Sequence, residues 1–207
     1  MSQRDERQSS PSTARNREPI LAVLQRVLPE RARVLEIASG AGEHAVFIAR
    51  ARPDLAWQLS DPEAVSRASI AAWIAHEKLP NVLPPLAIDV RADDWGVERT
   101  FDAIVAINMI HIAPWEAARG LFRGARRVLR PEGVLFLYGP FRRHGKHTAP
   151  SNEAFDQWLK QRDPAFGVRD LEAVEREARA GGFALHEVVE MPANNLSLIF
   201  NRDFSHP

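Results

Sequence analysis

Three polar side chains, Asp61, Asp89 and Asn108, each close an apolar run, in the strings "WQLSD", "LAIDV" and "AIVAIN". A carboxylate at a strand end can accept hydrogen bonds from both hydroxyls of a ribose, and a second one can reach the amino group of an adenine. Upstream lies a turn of small residues, Ala38-Ser39-Gly40-Ala41-Gly42, set between an apolar run and an amphipathic one. Glycines there let the backbone approach a ligand, and the helix behind them offers unpaired N–H groups. Asp61 follows Gly42 by about 20 positions, the spacing of a ribose-binding carboxylate in nucleotide folds. Each feature has a plain alternative in helix capping or close packing. Their succession along the chain favours a nucleoside site.

The glycine pattern narrows the cofactor. A dinucleotide fingerprint needs G-x-G-x-x-G, and this turn ends at Gly42 with His44 and Ala45 beyond it. Glu36, just before the turn, would repel a pyrophosphate but suits the cationic amino acid portion of S-adenosylmethionine (SAM). Glu36, Ala38, Ser39, Gly40, Gly42, Asp61, Asp89 and Asn108 are therefore the expected cofactor-binding residues.

These residues need a scaffold that brings strand ends together. Helical spacing runs from Pro19 to Leu28, from His44 to Ala51, from Val65 to Glu77 and through "PWEAARGLFRGARRVLR". Between these helices lie strands at Val34–Ala38, "LAWQLSD", "NVLPPLAIDV" (ending near Asp89), "FDAIVAINMIHI" and "VLFLYGP". Such alternation predicts a parallel sheet covered on both faces, a Rossmann-like three-layer α-β-α fold. In that fold, ligands sit beyond the carboxyl ends of the strands. Farther on, the pattern predicts helices at Glu153–Gln161 and Leu171–Ala180, then a hairpin of "FALHEVVEMP" and "LSLIFNR". Residues 1–14 read as a flexible polar tail and residues 15–207 as one domain.

Composition bounds the function. The 207 residues carry 27 basic and 27 acidic side chains, without the basic surplus typical of nucleic-acid binders, so no nucleic-acid partner is expected. There is no cysteine, which excludes disulfides, thiolate metal sites and a cysteine nucleophile. No secretory signal and no apolar run of about 20 residues is seen, so a cytoplasmic protein without membrane contact is expected.

The string "LEIASGAGEH" resembles the first motif of class I SAM-dependent methyltransferases, E-x-G-x-G-x-G, with Ala38 in place of the first glycine. The chain from "RNREPIL" to "MPANNLSLIF" is more specifically similar to a methyltransferase-like family long catalogued as a domain of unknown function. The strings "WQLSD", "INMIHIAPW", "LYGPF", "HTAPSNEAFD" and "RDPAFGVRDLE" carry that similarity. It implies a seven-stranded, mostly parallel sheet with an antiparallel last strand, and SAM as cofactor, but no substrate.

Methyl transfer from a sulfonium is an in-line displacement that needs positioning and, for a protonated acceptor, a base. His111, three residues past Asn108, is the expected base, with Tyr138 as a second group on the same rim. The alternative for His111 is a core histidine packed against Trp115. The chain lacks the Asp/Asn-Pro-Pro-aromatic string of many amino-group methyltransferases, which points to a small-molecule acceptor. In "RRHGKHTAPSN", Arg142, Arg143, Lys146 and His147 read as a cationic lip for an anionic substrate. Its length suits a cover, so Arg142, His147 and Asn152, together with Arg15 and Asn16 before the first helix, are the expected substrate or lid residues. His144 and His147 lack a third ligand, and no metal is expected.

The expected activity is thus SAM-dependent methylation of a small polar or anionic molecule. Two rivals stand beside it: a non-catalytic module of the same fold acting through a partner, and an NAD-dependent oxidoreductase.

Overall fold

The computed structural model describes residues 6–98 and 100–203. Its main sheet runs β3-β2-β1-β4-β5-β9-β8, built from Arg33–Ile37 (β1), Ala56–Ser60 (β2), Val82–Leu86 (β3), Phe101–Ile107 (β4), Leu129–Arg143 (β5), Phe183–Met191 (β8) and Asn195–Arg202 (β9). Strands β1 to β5 are mutually parallel, and β9 is antiparallel to both β5 and β8. Two short strands, Lys146–His147 (β6) and Arg169–Asp170 (β7), pair with the far end of β5. The seven-stranded, mostly parallel sheet with an antiparallel last strand is as expected.

Alternation along the strands sorts the core into two layers. Leu35, Ile37, Ile104, Leu135 and Leu137 join one cluster with Leu121 and Phe122 of α4 (Trp115–Val128) and Val174 of α6 (Leu171–Ala180). Val34, Trp57, Val105, Phe136 and Ile199 join the other, with Ile20 and Leu24 of α1 (Pro11–Val27), Ile48 of α2 (Glu43–Ala51) and Ile70 of α3 (Ala64–Glu77). Period-2 side-chain placement on strands buried on both faces produces this three-layer sandwich. Each fully buried Leu, Ile or Phe contributes about 1.5–3 kcal/mol by leaving water. Among the described residues no helix is long and apolar enough to cross a membrane.

Several boundaries differ from expectation. Helix α1 begins at Pro11, within the stretch expected to be a polar tail. Pro19 lies inside this helix, where the sequence suggested a start. Tertiary contacts account for the extension: Thr13 and Ile20 are buried, and the Arg17 guanidinium sits 4.5 Å above the Phe47 ring. Ahead of the helix, Gln8 N donates to Ser69 Oγ (2.9 Å) and Ser10 N to Glu43 Oε2 (2.6 Å). Residues 1–5 of the expected tail lie outside the described residues. Strand β3 ends at Leu86, leaving Asp89 in the following loop. Helix α5 spans Pro150–Arg162, longer at its start than the predicted piece.

Candidate cofactor and substrate site

Strand β1 enters the small-residue turn through Ala38, whose φ is +52°, a left-handed conformation that favours glycine. Gly40 and Gly42 follow with φ of +55° and +90°. The two glycines serve different ends. A β-carbon on Gly42 would lie 3.1 Å from Ile70 Cγ1 and 3.2 Å from Ile70 Cα, so this glycine lets α3 pack against the turn. A β-carbon on Gly40 would meet nothing within 4 Å. Gly40 faces open space and Gly42 the core.

Backbone hydrogen bonds carry the sheet order into the loops. Ser39 N donates to Ser60 O (2.8 Å), and Asp61 N donates to Leu86 O (3.0 Å). The buried Asp61 carboxylate ties the first two connections together: Gly40 N donates to Oδ2 and Glu63 N to Oδ1, each at 2.9 Å. Each carboxylate oxygen offers two acceptor sites, so Asp61 keeps capacity for a ligand hydroxyl. Farther along the edge, Asp89 accepts from Arg91 Nη2 (2.6 Å), which holds its carboxyl below the usual range.

A cleft of about 390 Å³ opens at these strand ends, within the size range of small-molecule sites. Ala38, Gly40, Asp61 and Asp89 line it, with an apolar floor that includes Ile37, Val90, Met109 and Phe166. A concavity of about 420 Å³ lies at the opposite end of the strands, before β1 and β2, where Arg52 and Asp54 close on each other at 2.7 Å. Chemistry rather than volume distinguishes the two: the first sets Asp61, Glu63 and Asp89 around an apolar floor and an open glycine.

The other expected cofactor residues do not line this cleft. Glu36 is buried under the sheet, where Trp57 Nε1 donates to its Oε2 (2.7 Å) and burial pushes its pKa up to about 7. Ser39 supports the turn, its Oγ accepting from Ser60 N (3.3 Å). Asn108 follows β4 with φ +61°, its N donating to Tyr138 O (2.7 Å). Both catalytic candidates are buried as well. Tyr138 makes a hydrogen bond with the Asn195 side chain, and burial raises its pKa to about 12.

His111, expected at the rim facing a methyl group, is instead fully enclosed. Its ring meets Phe141 edge-on at 4.9 Å, not Trp115, and a β-carbon on Gly139 would fall 2.4 Å from its Nε2. Burial, reinforced by Arg169, drives its pKa down to about 3, so it is neutral at physiological pH. The strand-end position was legible; the 3₁₀ turn Met109–His111, which rotates the ring inward, was not.

The members of the cationic lip differ in their surroundings. Arg143 pairs with Glu190 (2.7 Å), and the neighbouring His144 lies 3.3 Å from Glu172. Arg142 and His147 are register partners across β5 and β6, which sets them side by side on one face. Arg142 Nε and His147 Nδ1 are both buried without a hydrogen-bond partner. His147 Nε2 lies 3.4 Å from Asp156 Oδ2. Asn152 Nδ2 donates to Asn194 O (2.9 Å) and Thr148 Oγ1 (3.1 Å), securing α5 to the hairpin. Arg15 is exposed and Asn16 half-buried, both within α1 rather than in a loop before it.

The residues at the cleft fit SAM: Asp61 suits ribose hydroxyls, Asp89 an adenine edge, and Gly40 a close backbone approach. Phe166 and Arg169 escaped sequence reasoning, as did the half-buried His44, whose Nδ1 lacks a partner. The aromatic of "DPAFG" within a polar stretch was the available signal for Phe166.

Solved structures share this fold. An O-methyltransferase family protein from Burkholderia thailandensis superposes with a TM-score of 0.77 at 17% identity, covering 91% of this chain and 57% of that one. Mitomycin 7-O-methyltransferase gives 0.77 at 12% identity, covering 92% of this chain and 54% of that one. A methyltransferase of calicheamicin biosynthesis, in its S-adenosylhomocysteine-bound form, gives 0.73 at 18% identity, with coverages of 92% and 54%. The chain spans little more than half the length of these proteins. At such identities the likeness is one of fold, a methyltransferase-like Rossmann fold. The pattern of one family, described as "Protein of unknown function (DUF938)", runs through residues 7–202, and this chain belongs to that family.

Proposed function

We propose that this protein is a SAM-dependent methyltransferase acting on a small polar or anionic molecule. The observation that carries this reading is the convergence of Gly40, Asp61 and Asp89, from the connections that follow three successive strands, on one apolar-floored cleft. Asp61 would hold the ribose, Asp89 the adenine amino group, and the Ala38–Gly40 backbone the region nearest the sulfonium. When bound, SAM supplies an electrophilic methyl carbon. The chain's own part is then to orient an acceptor against it and to exclude water.

The acceptor side of this reading falls to Arg142 and His147. Arg142 and His147 carry adjacent buried nitrogens without partners, an arrangement that suits the polar atoms of an acceptor. Asn152 and the rest of α5 would cover it, with Arg15 and Asn16 of α1 on the opposite side. His111 is proposed to position rather than to transfer a proton, because its pKa near 3 makes it a poor base.

One observation favours the second reading, a module that binds without catalysis: neither expected catalytic side chain lines the cleft. The two are separated by incubating the protein with methyl-tritiated SAM and a panel of small phenols, carboxylic acids and phosphate esters. Label transfer to any acceptor, lost on substitution of Arg142, supports the enzyme. SAM binding with no transfer across the panel favours the module.

A further inference from the structure

Between α5 and β7, residues 163–168 pass along the mouth of the cleft, and Phe166 forms part of its lining beside Ile112 and Ala113. Arg169 fastens this passage. Its Nε donates to Ile110 O (2.8 Å), and its Nη2 donates to Ala113 O (2.6 Å) and Ala165 O (2.7 Å). The guanidinium lies 5.6 Å from the Trp115 ring centroid. Among the described residues no carboxylate hydrogen-bonds to it, and burial holds its pKa below the ordinary arginine value. One planar fork thus joins backbone carbonyls of the cleft rim, at 110 and 113, to the passing segment at 165.

The backbone adds further ties at the same place. Gly167 N donates to His111 O (2.9 Å), Arg169 N to His111 Nδ1 (3.4 Å), and Val168 N to Asp156 Oδ1 (2.7 Å). His111 accepts through both its carbonyl and its ring, which requires the neutral imidazole its burial enforces. The histidine expected to act on substrate is the anchor of this attachment.

We propose that Arg169 is a positioning residue that latches residues 163–168 to the cleft rim, and that Phe166 is the ring this segment presents to the planar base of the bound nucleoside. The proposal rests on the cofactor reading above. Lysine cannot substitute, because a single ammonium on a flexible stem does not reproduce a planar fork reaching two separate segments.

Amide hydrogen exchange and S-adenosylhomocysteine calorimetry on the full chain test it, using Arg169→Ala, Arg169→Lys and Phe166→Ala. Both Arg169 variants are expected to speed exchange at Gly167 and at the rim, and to weaken S-adenosylhomocysteine about tenfold. Phe166→Ala is expected to weaken it roughly tenfold while leaving exchange at the rim as in the intact protein. Unchanged exchange in Arg169→Ala would overturn the latch. Wild-type affinity in Phe166→Ala would overturn the assignment of that ring. If the intact protein itself binds no S-adenosylhomocysteine, the cofactor reading and Phe166's part in it fail together, and the exchange data alone decide the latch.

Discussion

The turn after β1 offers two substitutions of opposite sign. Ala38 holds φ +52°, and a left-handed alanine costs about 1–2 kcal/mol. Ala38→Gly recovers that strain but adds unfolded-chain entropy worth about 0.4–1 kcal/mol. It also removes a half-buried methyl worth roughly 0.4 kcal/mol. The net is a gain of about 0.5 kcal/mol, or roughly 1–2 °C in Tm for a chain of this size. Gly42→Ala combines φ +90° with a β-carbon 3.1 Å from Ile70 Cγ1 and 3.2 Å from the α3 backbone. Strain and overpacking together cost about 2–4 kcal/mol there. Urea denaturation should therefore place Ala38→Gly about 0.5 kcal/mol above the parent and Gly42→Ala about 2–4 kcal/mol below it. A destabilised Ala38→Gly, or a Gly42→Ala as stable as the parent, would refute this account of strain at Ala38 and close packing at Gly42.

Burial makes two further groups report on pH. Glu36, with its folded pKa raised from 4.5 to about 7, keeps its proton where the unfolded chain has lost it, so its contribution is complete below about pH 4.5 and fades as pH rises through 7. Glu36→Gln retains an acceptor for Trp57 Nε1; its stability relative to the parent should improve by about 3 kcal/mol between pH 4.5 and 7.5, and a pH-independent difference would count against a buried titrating Glu36. His111 runs the other way: its pKa falls from 6.5 to about 3, so its contribution is present above pH 6.5 and is lost as pH drops toward 3. Nitrogen NMR should find a neutral His111 ring at pH 5, whereas a titration near 6.5 would show the ring open to solvent.

The strand–helix alternation and the turn at 38–42 were legible because both are written in local pattern: apolar runs, punctuating prolines and glycine. Asp61 and Asp89 followed from the rule that strand ends carry the site. His111 went astray because a 3₁₀ turn rotates it inward, a consequence of packing against Phe141 and Gly139 rather than of its neighbours in sequence. Arg169 left no trace, since its partners are backbone carbonyls, two of them 56 and 59 positions away, which any residue type supplies. The cationic lip read as one surface; only the register of β5 with β6 and the ion pair of Arg143 with Glu190 isolate Arg142 and His147 within it.

The central claim is that the cleft at Gly40, Asp61 and Asp89 holds the nucleoside of SAM. Titration calorimetry of the intact protein and of Asp61→Ala with S-adenosylhomocysteine tests it most directly. The reading predicts micromolar binding that falls at least about tenfold in the variant, beyond what loss of the Gly40 tie does to the fold as judged by its melting curve. No binding by the intact protein, or equal binding by a folded Asp61→Ala, would contradict it.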